Sequence, residues 1–330
     1  MFVVAEVGNN HEGDATLALE MLHAAATAGA DAVKFQIINP ERLVASTEVD
    51  RLSQLHRFTL KEEEWVGIFA EASRIGVECF ATAFDIESAK WLCGMQRLFK
   101  VSSGDNNFEA LLRKIAAFDN PTMVSTGMTD LNAVTAIVDT WNDASTRGTR
   151  DLALLHCVSS YPVPDDQANL RAILTLQREF PDIAVGYSDH CVGIESVIAA
   201  VAMGACVVEK HFTLDHHLSN FRDHELSATP DEFQSMVTGI RRVEQMRGSG
   251  KLRLSACEDP VEASARRSIA TLRDLVPGET VRRQDLTWLR PGSGFRVGQE
   301  TLVVGRRVTR AIQAGEILAP RDLAPLIQER

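Results

Sequence analysis

The chain has 330 residues, enough for one large domain, two, or at most three. Its 45% hydrophobic and 24% charged residues are the balance of a globular protein and exclude a disordered tail or a collagen. Acidic residues (45) outnumber basic ones (34), a net charge of −11 that argues against a general nucleic-acid binder but leaves room for a small anionic substrate met by local cations.

In chain order, short apolar runs at residues 2–6, 32–36, 78–81, 98–101, 122–125, 152–157, 183–187 and 206–210 read as strands. Rich in Val, Ile and Phe, they suit a parallel sheet buried on both faces. Amphipathic stretches at 14–28, 61–75, 86–95, 108–118, 130–144, 167–180, 193–203 and 230–247 read as the helices between them. Eight strand–helix units in the first 247 residues predict a TIM barrel. A doubly wound open sheet is the alternative, but no G-x-G-x-x-G follows the first strand. Residues 248–263, opening on Gly248-Ser249-Gly250, read as a linker. Residues 264–330 read as a small β-rich domain of Gly-punctuated segments. Within it Arg273-Asp274-Leu275-Val276-Pro277-Gly278-Glu279 and Asp285-Leu286 recur, offset by 37, as Arg310-Ala311-Ile312-Gln313-Ala314-Gly315-Glu316 and Asp322-Leu323.

The six cysteines form no C-x-x-C pair and read as reduced, buried thiols of a cytoplasmic protein. Met1 to Ala5 run into Glu6 with no basic segment before them, so no secretion signal is expected. No apolar run approaches the roughly 20 residues of a membrane span.

In a barrel the reacting groups sit at the C-terminal ends of the strands. Those ends are polar throughout: Glu6 to His11, Lys34 to Gln36, Thr82, Lys100 to Asp105, Ser125 to Met128, Cys157 to Pro162, Ser188 to His190, and Glu209 to His211. His190 and His211 end neighbouring strands and suit one divalent cation, although each alone could simply bond a backbone carbonyl. Lys34 and Lys100 lie in apolar strands, where an ammonium needs a wet cleft or an anion. With Ser103, Ser125, Thr126, Gly127 and Ser188 they suit a phosphate and a carboxylate; the plainer reading is rim lysines and helix-capping hydroxyls.

With these residues in place, the chain resembles the sialic acid synthase family, the phosphoenolpyruvate-condensing synthases of nonulosonic acids. The resemblance rests on AEVGNNHEGD (5–14), GADAVKFQ (29–36), KVSSGDNNF (100–108), VSTGM (124–128), CVSSYPVP (157–164), GYSDHCVGIE (186–195), GACVVEKHFTLD (204–215), ARRSI (265–269) and LRPGSGF (289–295). It implies a TIM barrel followed by an antifreeze-like (β-clip) domain, in a homodimer whose small domains cap the partner barrels. It implies His190 and His211 as ligands of Mn²⁺, with Mg²⁺ or Co²⁺ as substitutes. Lys34, Thr82, Lys100, Ser103, Ser125 and Ser188 match phosphoenolpyruvate-binding positions, and Glu6 matches an acid near the metal. Asp105, Tyr161 and Asp223 match sugar-contacting positions, and Arg290 matches an arginine that serves the neighbouring subunit.

Three departures stand out. Residues 219–227 read SNFRDHELS where the family often has GPDHKAS, Asp105 replaces a Glu, and no aromatic precedes Arg266. The activity implied is condensation of phosphoenolpyruvate with an open-chain N-acyl hexosamine such as N-acetylmannosamine, releasing phosphate. The metal would polarise the aldehyde, and Glu6 or a water on the ion would handle the proton. Alternatives are the same chemistry on a legionaminic- or pseudaminic-type or unacylated sugar, or a non-catalytic carbohydrate binder. No nucleic-acid or membrane partner is expected.

Overall fold

Eight apolar runs become eight parallel strands: β1 (Phe2–Gly8), β2 (Ala32–Ile37), β3 (Glu78–Ala83), β4 (Phe99–Val101), β5 (Thr122–Ser125), β6 (Leu152–Cys157), β7 (Ala184–Asp189) and β8 (Val207–His211). The computed structural model describes residues 1–325, so residues 326–330 of the expected second domain lie outside the described residues. The sheet order is β3-β2-β1-β8-β7-β6-β5-β4. Strand β1 pairs with both β2 and β8, so the sheet curls into a nearly closed (β/α)8 barrel whose seam lies between β3 and β4.

At that seam a side chain stands in for a strand. Buried Gln96 accepts from the Ala81 N–H at 2.8 Å and donates to the Ala81 carbonyl at 3.2 Å. It thereby satisfies the backbone groups that an edge strand leaves open.

Strand alternation builds the interior in layers. Val4, Ala32, Phe80, Met123 and Leu155 form an apolar cluster, with Phe2, Leu98 and Val207 packed against it. Two residues further along their strands stand Glu6, Lys34, Thr82, Lys100, Ser125, Cys157 and Glu209, all buried. Gly186 fits this apolar layer because a Cβ there would lie 2.5 Å from both Leu155 Cδ2 and the Val207 carbonyl. The opposite faces of the strands meet the helices in the main core, which includes Val3, Val33, Phe99, Val185 and Val208.

Helices start where short polar side chains cap them. Asp14 accepts from Thr16 and Leu17 ahead of Ala15–Thr27, Asp85 from Glu87 and Ser88 ahead of Ile86–Leu92, and Asp130 from Ala133 ahead of Leu131–Ala144. The helix Val49–Phe58 and the short helices Pro40–Leu43 and Asp223–Leu226 lie where the sequence indicated no element. Strands β7 and β8 run one to two residues beyond their expected ends, which carries the ladder to Asp189 and His211. No helix among the described residues is long and apolar enough to cross a membrane. All six cysteines are free, but Cys206 and Cys257 are exposed, contrary to the reading of uniformly buried thiols.

The chain folds as two compact units, with the boundary between Ser249 and Gly250. The segment read as a linker becomes helical from Ala256, in a 3-10 turn Ala256–Glu258 followed by the helix Asp259–Ala265. The second unit has a hairpin of β9 (Ser268–Thr271) and β10 (Leu286–Leu289) and a core of its own. The repeat seen in the sequence is a repeat in space. Arg273 Nε donates to Asp285 Oδ1 at 2.8 Å, and Arg310 Nε donates to Asp322 Oδ1 at 2.8 Å. Their outer nitrogens reach Glu279 at 2.7 Å and Glu316 at 2.6 Å. The equivalent residues Leu275 and Ile312 exchange backbone hydrogen bonds with each other, at 2.9 and 3.0 Å, so a local two-fold axis passes between them.

Candidate active site

The polar layer of the barrel is a buried charge cluster. Lys34 Nζ lies 2.9 Å from Glu6 Oε2 and 3.5 Å from Glu209 Oε1, and donates to Thr82 Oγ1 at 3.3 Å. Lys100 Nζ donates to Ser125 Oγ at 2.7 Å and lies 3.9 Å from Glu209 Oε1. Ser188 donates to the same Glu209 oxygen at 3.0 Å. Gln36 donates to Glu6 Oε1 at 2.8 Å and is itself held by Asn9.

Burial and charge push these groups apart. Burial raises the Glu6 carboxyl above its ordinary value, against the opposing pull of Lys34. Burial would raise Glu209 as well, but Lys100 and Lys34 outweigh it and hold that carboxylate low. Burial would lower Lys34, yet Glu209 and Glu6 keep it raised; for Lys100 burial wins and the ammonium is lowered. The two carboxyls of the cluster are thus shifted in opposite directions, Glu6 up and Glu209 down.

Above this layer three rings meet. The His190 and His211 centroids are 5.2 Å apart, and the Tyr161 ring is 4.2 Å from His190 and 6.0 Å from His211. His190 Nδ1 lies 2.9 Å from the Val158 carbonyl. A carbonyl only accepts, so this nitrogen carries the hydrogen and the Nε2 lone pair is left free. Burial would lower His190, but Cys157 and the Val158 carbonyl outweigh it; burial drives His211 well down, with His190 and the lysines adding to the effect. At the mouth, the Arg222 guanidinium lies 5.2 Å from the Tyr161 centroid, and Phe58 meets Phe221 at 5.0 Å. Burial raises Asp223 beside them.

Together these groups line a cleft of about 450 Å³, within the usual size of a small-molecule site. Ser103 and Ser159 join it by way of Gly127. A Cβ on that glycine would lie 2.6 Å from Ser103 Oγ and closer still to Ser159 Oγ.

Ten of the residues singled out from the sequence therefore line one cleft: Glu6, Lys34, Lys100, Ser103, Ser125, Tyr161, Ser188, His190, His211 and Asp223. Thr82 stands behind Lys34 as its acceptor. Asp105 accepts from Ser102 Oγ at 2.8 Å, is raised by burial, and does not belong to the cleft lining. Arg290 is exposed at the end of β10 in the second unit. Asn10 and His11, which end the polar run after β1, serve the framework. Asn10 bonds the Phe212 carbonyl and Ser227, and His11 packs between Phe35 and Trp65, where burial lowers it to about 4.

Among the described residues no group of three or more His, Cys, Asp or Glu side chains is arranged to hold a metal ion. The expected ion has two imidazoles here and no third protein ligand. His211 Nδ1 and Glu209 Oε2 are nevertheless buried without hydrogen-bond partners. Such orphaned acceptors fit a divalent ion bound through the two histidines and completed by water and substrate oxygens.

A family model described as the NeuB family matches residues 21–252, and a SAF-domain model matches residues 266–324. The chain belongs to the NeuB family. This NeuB-family chain is 39% identical over 336 residues to the N,N'-diacetyllegionaminic acid synthase of Legionella pneumophila, covering 96% of this chain and 93% of that one. It is 31% identical over 338 residues to a pseudaminic acid synthase of Campylobacter jejuni, covering 98% and 96%. A crystal structure of N-acetylneuraminic acid synthetase from Leptospira borgpetersenii superposes with a TM-score of 0.74 at 34% identity, covering 79% of this chain and 89% of that one.

Proposed function

We propose that this chain joins phosphoenolpyruvate to the aldehyde of an open-chain amino sugar, releasing phosphate, and that the acceptor is a 2,4-diacetamido hexose rather than N-acetylmannosamine. The observation that carries the reaction is the buried pair Lys34 and Lys100, set among hydroxyls at the floor of a cleft whose rim holds two histidines. Two ammoniums and the hydroxyls of Ser125, Ser188 and Ser103 suit a phosphate and a carboxylate on one small molecule.

Carbon 3 of phosphoenolpyruvate forms the new bond to the aldehyde carbon, and the aldehyde oxygen takes a proton. Glu6, whose carboxyl burial raises, is our candidate acid for that step. Water adds to the positive C2 and returns one proton to the Glu6 carboxylate, the C2–O bond to phosphate breaks as the second proton leaves with the phosphate, and the C2 oxygen that remains comes from water. Lys34 and Lys100 hold the departing phosphate, where charge is largest. A divalent ion on His190 and His211, when bound, supplies Lewis-acid polarisation of the aldehyde. Arg290, and the homodimer implied by the family resemblance, belong to the same proposal.

Two points support the choice of acceptor. One is the 39% identity, over nearly the whole of both chains, to the Legionella synthase. The other is the mouth of the cleft. Phe221 and Arg222 stand where the family motif has Gly-Pro, and both line the cleft, Phe221 against Phe58 and the Arg222 guanidinium beside Tyr161. A second acetamido group offers a methyl for the one and a carbonyl for the other.

Phosphate release measured with N-acetylmannosamine, mannosamine and a 2,4-diacetamido hexose tests both parts. The diacetamido sugar should give a kcat/KM about tenfold or more above the others. A higher value with N-acetylmannosamine would overturn the acceptor, and no phosphate release with any aldehyde would overturn the condensation.

A further inference from the structure

Strand alternation puts two more charged residues directly behind the rim histidines. Asp189 and Lys210 are cross-strand partners in the β7–β8 ladder, on the helix-facing side, next in sequence to His190 and His211. Their side chains are 0% and 1% exposed, and Lys210 Nζ lies 2.7 Å from Asp189 Oδ2. The other Asp189 oxygen accepts from Tyr187 Oη at 2.7 Å, Ser196 Oγ at 2.9 Å and the Cys191 N–H at 3.2 Å. Lys210 also donates to the Cys191 carbonyl. Both neighbours of His190 and the residue before His211 are thereby tied into one buried network.

None of these groups lines the cleft. A fully buried ion pair is a poor source of stability, because desolvation cancels most of the attraction, and its best-attested use is to fix geometry. What this pair fixes is the relative height of the ends of β7 and β8, and hence the 5.2 Å separation of the imidazoles. We propose that Asp189 and Lys210 are positioning residues that hold His190 and His211 in the spacing a divalent cation requires. This rests on the two-histidine reading above and adds the device that sets it.

The test uses the full chain, with Co²⁺ alone as probe. The variants are the apolar pair Asp189→Leu/Lys210→Met and the near-isosteric Asp189→Asn. Co²⁺ affinity is read by calorimetry and the ligand field by visible absorption. The imidazole NMR signals of the metal-free chain are read separately. Folded variants should bind Co²⁺ about tenfold or more weakly, in line with the loss of groups that orient metal-binding histidines. Their visible bands should change, and the His190 and His211 signals should shift or broaden while that of His11 stays fixed. A folded variant with unaltered Co²⁺ affinity and unaltered imidazole signals overturns the proposal. Failure of both variants to fold overturns it too, since the pair would then be a requirement of folding. If the unaltered chain binds no Co²⁺, the two-histidine reading falls, and the metal-free NMR comparison still decides whether the pair positions the rings.

Discussion

One oxygen of Glu209 accepts from the hydroxyl of Ser188 and lies 3.5 and 3.9 Å from the ammoniums of Lys34 and Lys100. Its charge opposes the burial that lowers Lys100, so Glu209→Gln should act through that lysine. Burial already lowers Lys100, and loss of the opposing carboxylate lowers it further. The ammonium is then lost at a lower pH, and the alkaline fall of kcat/KM for phosphoenolpyruvate should move to lower pH. Near neutrality the loss should be about tenfold, the scale of one charge-assisted hydrogen bond. A pH–rate profile unchanged from wild type would show that Glu209 is not the partner that matters. The role of Glu209 was within reach of the sequence. Strand period puts it on the same face as His211, two residues on, but one acid amid apolar residues reads just as well as a strand end. Ser159 lay in the polar run after the sixth strand but was not singled out there, because its place depends on the close approach that Gly127 permits.

At the level of elements, the barrel is held at its weakest point by one amide. Gln96→Leu should leave the Ala81 N–H and carbonyl buried without partners, at a cost of about 3 kcal/mol. Chemical denaturation measures the loss, and hydrogen exchange at Ala81 should speed up in parallel. A variant as stable as the parent would mean that β4 closes the seam unaided. The strands were legible because parallel strands buried on both faces are apolar without interruption. Their last residues were not, since Ser188, Asp189 and His211 break the apolar run that marks a strand. Helix Val49–Phe58 was missed because only Leu55 and Phe58 of its ten residues are buried, which leaves too faint a stripe to read.

For the whole chain, the arithmetic of eight strand–helix units and a repeat offset by 37 residues carried both halves of the architecture. It did not say that the repeat closes on itself about an axis. That axis makes a quantitative prediction. Asp285 and Asp322 each accept from an arginine Nε at 2.8 Å and from a backbone N–H at 2.9 Å. Asp285→Asn and Asp322→Asn should therefore cost nearly the same, about 2 kcal/mol each. Hydrogen exchange of the β9 and β10 amides in the full chain provides the measure, and a difference above about 1 kcal/mol would mean the two braces are not equivalent. The Asp285 carboxylate is held low, chiefly by Arg273. Its stabilisation is complete above the ordinary Asp range and is lost as pH falls through its lowered value, so the deficit of Asp285→Asn should shrink in acid.

The pairing of Leu275 with Ile312 has a consequence for how such a module holds together. Two equivalent segments meeting across a dyad have the geometry of a dimer, but here both lie on one chain. An encounter that would be governed by mass action between separate short chains is governed by the loop that joins them, at an effective concentration set by its length. The pairing therefore survives any dilution, and neither half must fold alone before it finds the other.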